Sequence, residues 1–301
     1  MMRTVCVVGC GTVGVSWAAL FAAGGYDVLT TDPAPAAEAK LYAFLERARP
    51  QLARLGLRGE GRVTFTAQTD AAIARADFIQ ESGPESETAK RALLARIDAL
   101  ARPDAIVASS TSALLRSAIV ADCVHRRRHI VAHPFNPPHL VPLVEIVGED
   151  EGVVARACDF YRSLRRRPIV LRREMPGHIA NRLSSALYRE AVHLVEQGVA
   201  SVADIDAALS EGPGLRWAVM GPHMTYHLGG GDGGIAHYLD HLGPSQERRW
   251  ASLGQPSLTP DVKAAIFAGV AEEANGRDVA ALERERDRLL EAIIALKNSA
   301  A

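Results

Sequence analysis

The stretch VVGCGTVG, residues 7–14, decides the fold, because it places three glycines between a strand pattern and a helix pattern. Residues 3–8 are apolar enough for a buried strand, and the residues after Gly14 carry apolar side chains at helical spacing. In such a unit the glycines let the backbone approach a pyrophosphate, and the helix N-terminus supplies N–H donors. The stretch therefore predicts a dinucleotide-binding turn, with contacts from Gly9, Gly11, Thr12, Val13 and Gly14.

A second predicted strand, residues 26–32, ends in an acidic residue. Asp32 lies about 20 residues after the glycine turn, where an acid holds the adenosine ribose hydroxyls in dinucleotide-binding units. A carboxylate at this position also repels a 2'-phosphate. We therefore expect NAD(H) as the cofactor in preference to NADP(H). The alternative is a glycine turn in an α/β domain that binds no nucleotide.

Short apolar runs alternate with helical runs through the first half of the chain, and this alternation predicts a parallel, doubly wound α/β sheet. After residue 176 the pattern becomes helical with little strand signal. We therefore predict a Rossmann-like N-terminal domain, residues 1–176, followed by an all-helical C-terminal domain, residues 177–301. The last predicted helix carries an apolar stripe suited to packing against a core or a partner subunit: Leu282, Leu289, Ile293 and Leu296.

Composition and charge limit the classes of partner. The chain has 301 residues, 48% of them apolar and 23% charged, with a formal net charge of -1, so nothing indicates a nucleic-acid partner. No apolar run reaches membrane-spanning length, and no signal-peptide pattern is present. Two arginine clusters, residues 126–128 and 165–167, are predicted to be solvated ends of helices or loops, and a phosphate-rich ligand is the alternative.

The cysteines indicate a reducing compartment. Cys6 and Cys10 lie in or beside an apolar strand-like run, with no cluster of histidines near them. This context predicts buried free thiols and favours neither a disulfide framework nor a metal site. We therefore expect a cytoplasmic protein without a bound metal.

One basic and one acidic residue stand at the two ends of HPFNPPHLVPLVE, residues 133–145. His133 ends a predicted strand, and ligands of such sheets bind at the carboxyl ends of the strands. Glu145 lies inside an apolar run, where a carboxylate is costly unless it is paired. A nicotinamide enzyme that oxidises an alcohol needs a proton acceptor such as histidine. We therefore predict a fold-back that brings Glu145 against His133; a satisfied histidine and an edge-strand glutamate are the alternative.

Several ordered motifs resemble the L-3-hydroxyacyl-CoA dehydrogenase family over nearly the whole chain. HPFNPPHLVPLVEIVG is similar to the family's signature, which implies that His133 and Glu145 are the catalytic pair. ESGPESETAK is similar to the family's E-x-x-x-E-x-x-x-x-K stretch. That resemblance implies that Glu85 and Lys90 lie near the nicotinamide ribose.

Two further segments resemble the parts of the family that meet the substrate. ASSTSALL implies a substrate contact from Ser112, and GHIANRLSSAL implies one from Asn181 near the reacting oxygen. The prolines that follow His133 predict a rigid turn that presents Asn136 to the substrate. The resemblance also implies a homodimer formed through the helical domain.

Residues 210–234 resemble one branch of the family, which contains the lambda-crystallin and L-gulonate 3-dehydrogenase group and the bacterial carnitine dehydrogenases. That branch implies a free 3-hydroxy acid as substrate. Arg216 can hold a free carboxylate in bidentate fashion, and Trp217 lies beside it. Trp217, Tyr226 and Phe135 are candidates for an aromatic cage around a quaternary ammonium, and ordinary core packing is the alternative.

The sequence therefore predicts an NAD-dependent oxidoreductase that transfers hydride between the C3 hydroxyl of an L-3-hydroxy acid, such as L-gulonate or carnitine, and NAD+. The alternative within the family is a short-chain L-3-hydroxyacyl-CoA dehydrogenase of fatty acid metabolism. The alternative from another class is a catalytically silent, NADH-binding structural protein of the crystallin type.

Overall fold

The computed structural model describes residues 2–299, and its strands form one sheet. The eight strands are β1 (Thr4–Val8), β2 (Asp27–Thr31), β3 (Val63–Phe65), β4 (Phe78–Glu81), β5 (Ile106–Ser109), β6 (His129–Pro134), β7 (Leu143–Gly148) and β8 (Arg167–Val170). They lie in the order β3-β2-β1-β4-β5-β6-β7-β8. The chain therefore starts inside the sheet and builds outward on both sides, as the predicted doubly wound fold requires.

Helices follow most of the strands and dominate the later part of the described chain. Those of the α/β part are α1 (Thr12–Ala23), α2 (Ala37–Arg54), α3 (Thr69–Arg75), α4 (Glu87–Leu100), α5 (Arg116–Ile119) and α6 (Glu151–Ser163). The later ones are α7 (Ala180–Glu196), α8 (Val202–Ser210), α9 (Pro213–Val219), α10 (Pro222–Gly229), α11 (Gly234–Ala251), α12 (Pro260–Ala274) and α13 (Val279–Ser299). The predicted Rossmann-like part followed by an all-helical part is confirmed.

The direction of the sheet changes at β7. Neighbouring strands from β3 to β6 are parallel, whereas β7 is antiparallel to β6, and β8 is parallel to β7. Only residues 135–142 join β6 to β7, and a parallel crossover needs a dozen residues or more. The predicted parallel arrangement therefore extends from β3 to β6, and β7 and β8 run in the opposite direction. The expected fold-back is present, because His133 and Glu145 are register partners across β6 and β7.

Both faces of the sheet are buried. Successive side chains of a strand point to opposite sides, so one strand contributes to two cores. Val5 and Val7 of β1 face one core, shared with α1, α2 and α6. Cys6 and Val8 face a second core, shared with α3 and α4. The first core is rich in aromatic rings that pack on one another: Trp17, Phe21, Phe78, Phe160 and Tyr161.

Two arginines of the basic clusters are buried, so the predicted solvated ends are wrong for them. Arg128 is 7% exposed and donates hydrogen bonds to the Asp98 carboxylate. Arg166 is 6% exposed, and its Nη1 donates to the carbonyl oxygens of Pro138, Leu140 and Val141 at 3.1–3.2 Å. Burial lowers the pKa of Arg166 to about 10, which leaves it charged at neutral pH. Arg166 therefore holds the connection between the two strands that carry His133 and Glu145.

The chain divides into two compact units. The first runs to Arg182 and is completed by the residues from Asp287 onward, and the second is Leu183–Arg286. The predicted domain boundary near residue 176 stays a prediction. Leu289, Ile293 and Leu296, from the predicted apolar stripe, are 43–70% exposed. Among the described residues, no helix combines the length and the apolar character needed to cross a bilayer.

Candidate active site

The glycine turn joins β1 to α1 and leaves the start of the helix open. Gly9 has φ 102°, and a Cβ at this position would lie 2.5 Å from the carbonyl oxygen of Ser82. A Cβ on Gly14 would lie 1.8 Å from the carbonyl oxygen of Gly9, so only glycine allows this close approach. Gly11 is the N-cap of α1 and has open space where a Cβ would be. The turn therefore offers unblocked N–H groups to a phosphate.

Asp32 follows β2 and faces the same turn. Its Oδ2 accepts a hydrogen bond from the Cys10 N–H at 2.7 Å, and its Oδ1 accepts one from the Ala34 N–H at 2.8 Å. Each carboxylate oxygen has a second acceptor site, so both oxygens can still accept from ribose hydroxyls. The open helix start and this oriented carboxylate together fit NAD(H).

Removal of the charge at Asp32 tests the cofactor preference. In Asp32→Asn one side-chain oxygen still accepts hydrogen bonds, and a 2'-phosphate no longer meets a negative charge. We expect the ratio of kcat/KM for NAD+ to that for NADP+ to fall about tenfold. The reason is that the Asp32 carboxylate repels each negative charge of a 2'-phosphate by about 1 kcal/mol at ~4 Å in water, and the variant loses this repulsion. Steady-state assays with both cofactors measure the ratio. Asp27→Asn, at the other end of β2, is the control, and an unchanged ratio in Asp32→Asn would refute the assignment.

The predicted dyad is present and buried. His133 Nδ1 lies 2.8 Å from Glu145 Oε2, and the two residues are 4% and 0% exposed. Glu145 Oε1 accepts hydrogen bonds from the N–H groups of Ile179 and Ala180 at 2.8 and 3.0 Å. Both carboxylate oxygens are therefore satisfied, one by the imidazole and one by the backbone at the start of α7.

The contacts of Glu145 set its charge and the tautomer of His133. Burial alone would raise the pKa of Glu145, but the bonds from His133 and from the backbone N–H groups outweigh burial and hold the pKa below its usual value. An ionised carboxylate can only accept, so Nδ1 of His133 carries the proton. The Nε2 atom is then left as the proton acceptor that alcohol oxidation needs.

A pocket of about 200 Å³ opens beside His133 and is lined by six of the predicted site residues. It lies between Val13, at the start of α1, and His133 of the dyad. Its lining residues are Val13, Ser82, Gly83, Glu85, Lys90, Ser110, Ser112, His133, Pro134 and Asn136.

Glu85 organises the loop that carries Ser112. Its Oε1 accepts from Thr111 Oγ1 at 2.7 Å, from the N–H groups of Ser112 and Ala113 at 2.9 and 3.0 Å, and from Ser112 Oγ at 3.2 Å. Burial opposes ionisation, but the hydrogen bond from Thr111 and the charge of Lys90 lower the pKa of Glu85. The Ser112 hydroxyl is thus held at the pocket wall, and the contact of Glu85 with a ribose stays a prediction.

Lys90 is 1% exposed and holds the end of β4. Its Nζ donates to both oxygens of Glu81 at 2.8 and 3.1 Å and to the Gly83 carbonyl at 3.3 Å. Glu85 Oε2 lies 3.7 Å from the same nitrogen. Lys90 therefore fixes the acids around it, and its contact with a ribose stays a prediction.

The predicted substrate contacts lie in both units. Asn181 Nδ2 donates to the Ser112 carbonyl at 3.0 Å, which ties the start of α7 to the Ser112 loop. Asn136 is exposed and lines the pocket. Arg216 and Trp217 are exposed residues of α9 in the second unit, and their substrate contacts stay predictions.

His178 belongs to this site, and the sequence reasoning missed it. Its ring centroid lies 5.0 Å from that of His133, it is 2% exposed, and its Nε2 donates to the Thr111 carbonyl at 3.2 Å. Burial and the neighbouring His133 lower its pKa, so it is neutral at physiological pH. A polar residue between Gly177 and an apolar helix start was the available signal.

A buried cluster outside this pocket contains three residue types that can bind metals. Asp98, Cys123 and His129 place possible ligand atoms within 4.8 Å of one another. Asp98 already accepts hydrogen bonds from Arg128 and His129, and burial raises the pKa of Cys123 to about 11. A neighbouring guanidinium and a protonated thiol favour an internal ion pair over a metal centre.

Comparisons with known proteins find relatives that match nearly the whole chain. Residues 4–175 match the family model described as 3-hydroxyacyl-CoA dehydrogenase, NAD binding domain, and residues 177–256 match the one for its C-terminal domain. An L-carnitine dehydrogenase from Streptomyces coelicolor is 48% identical over 95% of this chain and 92% of the relative. Another from Pseudomonas putida is 43% identical over 100% of this chain and 96% of the relative.

A solved structure extends the likeness to both parts of the chain. It is a 5-formyl-3-hydroxy-2-methylpyridine 4-carboxylic acid 5-dehydrogenase, described as an NAD+-dependent dismutase. The two chains are 31% identical, with a TM-score of 0.85 over 99% of each. The arrangement of strands and helices given above is thus shared with an NAD+-dependent enzyme.

Proposed function

Because this chain belongs to the 3-hydroxyacyl-CoA dehydrogenase family and is an NAD-dependent dehydrogenase of a CH–OH group, we propose that it oxidises the C3 hydroxyl of free L-carnitine. The observation that carries the chemistry is the buried His133–Glu145 pair at the edge of the cofactor pocket. The choice of substrate rests on the relatives. Two of them are L-carnitine dehydrogenases that match nearly the whole chain.

Each residue has a distinct role in this proposal. NAD+, when bound, would supply the hydride acceptor. His133 Nε2 takes the hydroxyl proton as the C3–H bond breaks, so the substrate becomes a 3-keto acid and the imidazole becomes an imidazolium. Glu145 keeps Nδ1 protonated and offsets the charge that develops on the ring. Ser112 and Asn181 are the proposed hydrogen-bond partners of the reacting oxygen.

The substrate's two charged groups need their own partners. Arg216 is the proposed partner of the carboxylate, since guanidinium and carboxylate pair in bidentate fashion. Aromatic faces attract a quaternary ammonium. Phe135 supports this part of the proposal, because its ring centroid lies 6.4 Å from that of His133. Trp217 and Tyr226, in the second unit, are the other proposed members of the cage.

A substrate panel tests this assignment. NADH formation would be measured with L-carnitine, D-carnitine, L-3-hydroxybutyrate, L-gulonate and 3-hydroxybutyryl-CoA, using His133→Ala as the blank. We expect kcat/KM for L-carnitine to exceed that for L-3-hydroxybutyrate by about tenfold or more, because one desolvated cation–π contact is worth about 2 kcal/mol. Activity on the thioester alone would instead establish the acyl-CoA alternative from fatty acid metabolism. The comparisons lend no support to L-gulonate.

We also propose a homodimer in the cytoplasm. Exposed large apolar side chains are frequent in the helical unit, and such patches mark interfaces in soluble proteins. Light scattering of the purified chain would then give about twice 32.2 kDa. Examples of the exposed apolar residues are Leu183, Leu187, Leu215, Val219, Met224, Leu228, Trp250 and Phe267.

The four buried free cysteines support a reducing compartment, as the proposed cytoplasmic location requires.

A further inference from the structure

A line of hydrogen bonds runs from the aromatic core to the cofactor pocket. The Tyr161 hydroxyl lies 2.6 Å from Gln80 Oε1, and Gln80 Nε2 lies 2.8 Å from Ser110 Oγ. Trp17 Nε1 lies 3.2 Å from the same Ser110 oxygen, and Ser82 Oγ lies 3.0 Å from it. The line starts at a fully buried residue, because Tyr161 is 0% exposed, and it ends at the wall of the pocket.

The buried end of this line has a fixed direction. Burial raises the pKa of Tyr161 well above its usual value, so its hydroxyl keeps a proton that needs an acceptor. Among the described residues, Gln80 is the side chain that contacts this hydroxyl. Gln80 must therefore turn its carbonyl oxygen to Tyr161 and its amide nitrogen to Ser110.

The direction continues through Ser110. A hydroxyl oxygen accepts two hydrogen bonds and donates one. The two acceptor sites of Ser110 Oγ are occupied by N–H groups of Gln80 and Trp17, which can only donate. Its contact with Ser82 is therefore a hydrogen bond that Ser110 donates. The hydroxyl proton of Ser82 is then free to point into the pocket.

We propose that Ser82 donates a hydrogen bond to the nicotinamide nucleoside half of NAD(H), and that Tyr161, Gln80 and Ser110 are positioning residues that keep its proton outward. Ser82 lies between the glycine turn and the dyad. A Cβ on Gly14 would lie 3.5 Å from Ser82 Cβ, and both Ser82 and His133 line the pocket. The ligand atom must be a hydrogen-bond acceptor, such as a ribose or carboxamide oxygen. The proposal depends on NAD(H) as cofactor and not on which hydroxy acid is oxidised.

Binding measurements on Ser82→Ala test the contact without turnover. Calorimetry would compare NADH, ADP-ribose and ADP, of which ADP lacks the nicotinamide nucleoside. We expect the Kd of NADH to rise about fivefold and the Kd of ADP to stay the same, because one hydrogen bond is lost from one half of the ligand. A rise with ADP-ribose as well would place the contact on the ribose, and a rise with NADH alone would place it on the carboxamide. An unchanged Kd of NADH, or an equal rise with ADP, would overturn the proposal.

A double-mutant cycle tests the directing role of Tyr161. In Tyr161→Phe the Gln80 oxygen loses its donor, so the amide can turn and accept a hydrogen bond from Ser110. The hydroxyl of Ser82 can then donate to Ser110, with its proton pointing away from the pocket. We expect Tyr161→Phe to weaken NADH binding about threefold in the wild-type background and to have no further effect in Ser82→Ala. Purely structural damage would instead weaken binding equally in both backgrounds and would also weaken ADP, which would overturn the relay. Tyr26→Phe, which removes only an exposed hydroxyl contact with Ser163, is the matched control.

Discussion

His133→Ala is expected to lower kcat for oxidation of the 3-hydroxy acid by about 10³-fold, because general base catalysis by a positioned side chain contributes about 10²–10⁴-fold. Nε2 of His133 is the atom left free to accept a proton, since Nδ1 is held by Glu145. The reduction of the 3-keto acid should fall by a similar factor, because the same imidazole then serves as the acid. Stopped-flow measurement of NADH formation and consumption gives both rates.

The cofactor site and the fold should survive this change. The Kd of NADH is expected to stay within about twofold of wild type, because the glycine turn and Asp32 are untouched. His125→Ala removes an exposed histidine of the same unit and should keep full activity. A rate for His133→Ala within tenfold of wild type, with intact NADH binding, would show that another group takes the proton.

Glu145→Gln should be nearly as damaging, although it changes one atom type. The backbone N–H groups of Ile179 and Ala180 require an acceptor, so the amide oxygen of the glutamine takes their side. Its NH2 group then faces His133 and forces the imidazole to carry its proton on Nε2. That tautomer cannot take a proton from the substrate. We expect kcat to fall by about 10²–10⁴-fold, the range of a lost general base.

The same variant has a signature in the dependence of stability on pH. The pKa of Glu145 is lower in the folded state than its unfolded value of about 4.3, so the carboxylate stabilises the fold above that pH and loses this contribution as the pH falls through the folded value. Urea titrations of Glu145→Gln should therefore show a smaller loss of stability below about pH 4.3 than wild type. Glu149→Gln, which removes an exposed carboxylate just after β7, is the control. Equal acid sensitivity of Glu145→Gln and wild type would contradict the ionised pair.

The parts of the fold that the sequence predicts are those set by local chemistry. The turn at Gly9 and Gly14 is dictated by contacts that leave no room for a Cβ, so its residues carry the information themselves. The dyad was predictable for a different reason: a carboxylate inside an apolar strand needs a partner, and His133 stood at the end of the preceding strand. In both cases a short stretch of sequence holds the whole argument.

The missed features depend on residues that are distant along the chain. Arg166 is buried because it binds three carbonyl oxygens. These carbonyls lie about 25 residues earlier in the chain, so no local sequence pattern reveals them. His178 joins the dyad only once the start of α7 lies against Glu145. The line from Tyr161 to Ser82 links positions on α6, β4 and the loop after β5. Tertiary structure, not periodicity, selects these partners.

The backbone N–H groups of Ile179 and Ala180 have a consequence for exchanging parts between relatives. They follow the end of the NAD-binding family match at residue 175, yet they complete the hydrogen bonding of Glu145. A chimera spliced at residue 176 would therefore combine Glu145 of one parent with residues 179 and 180 of the other parent. A splice after Arg182 would transplant the dyad intact. The segment that can be exchanged as one piece is thus longer than the nucleotide-binding module.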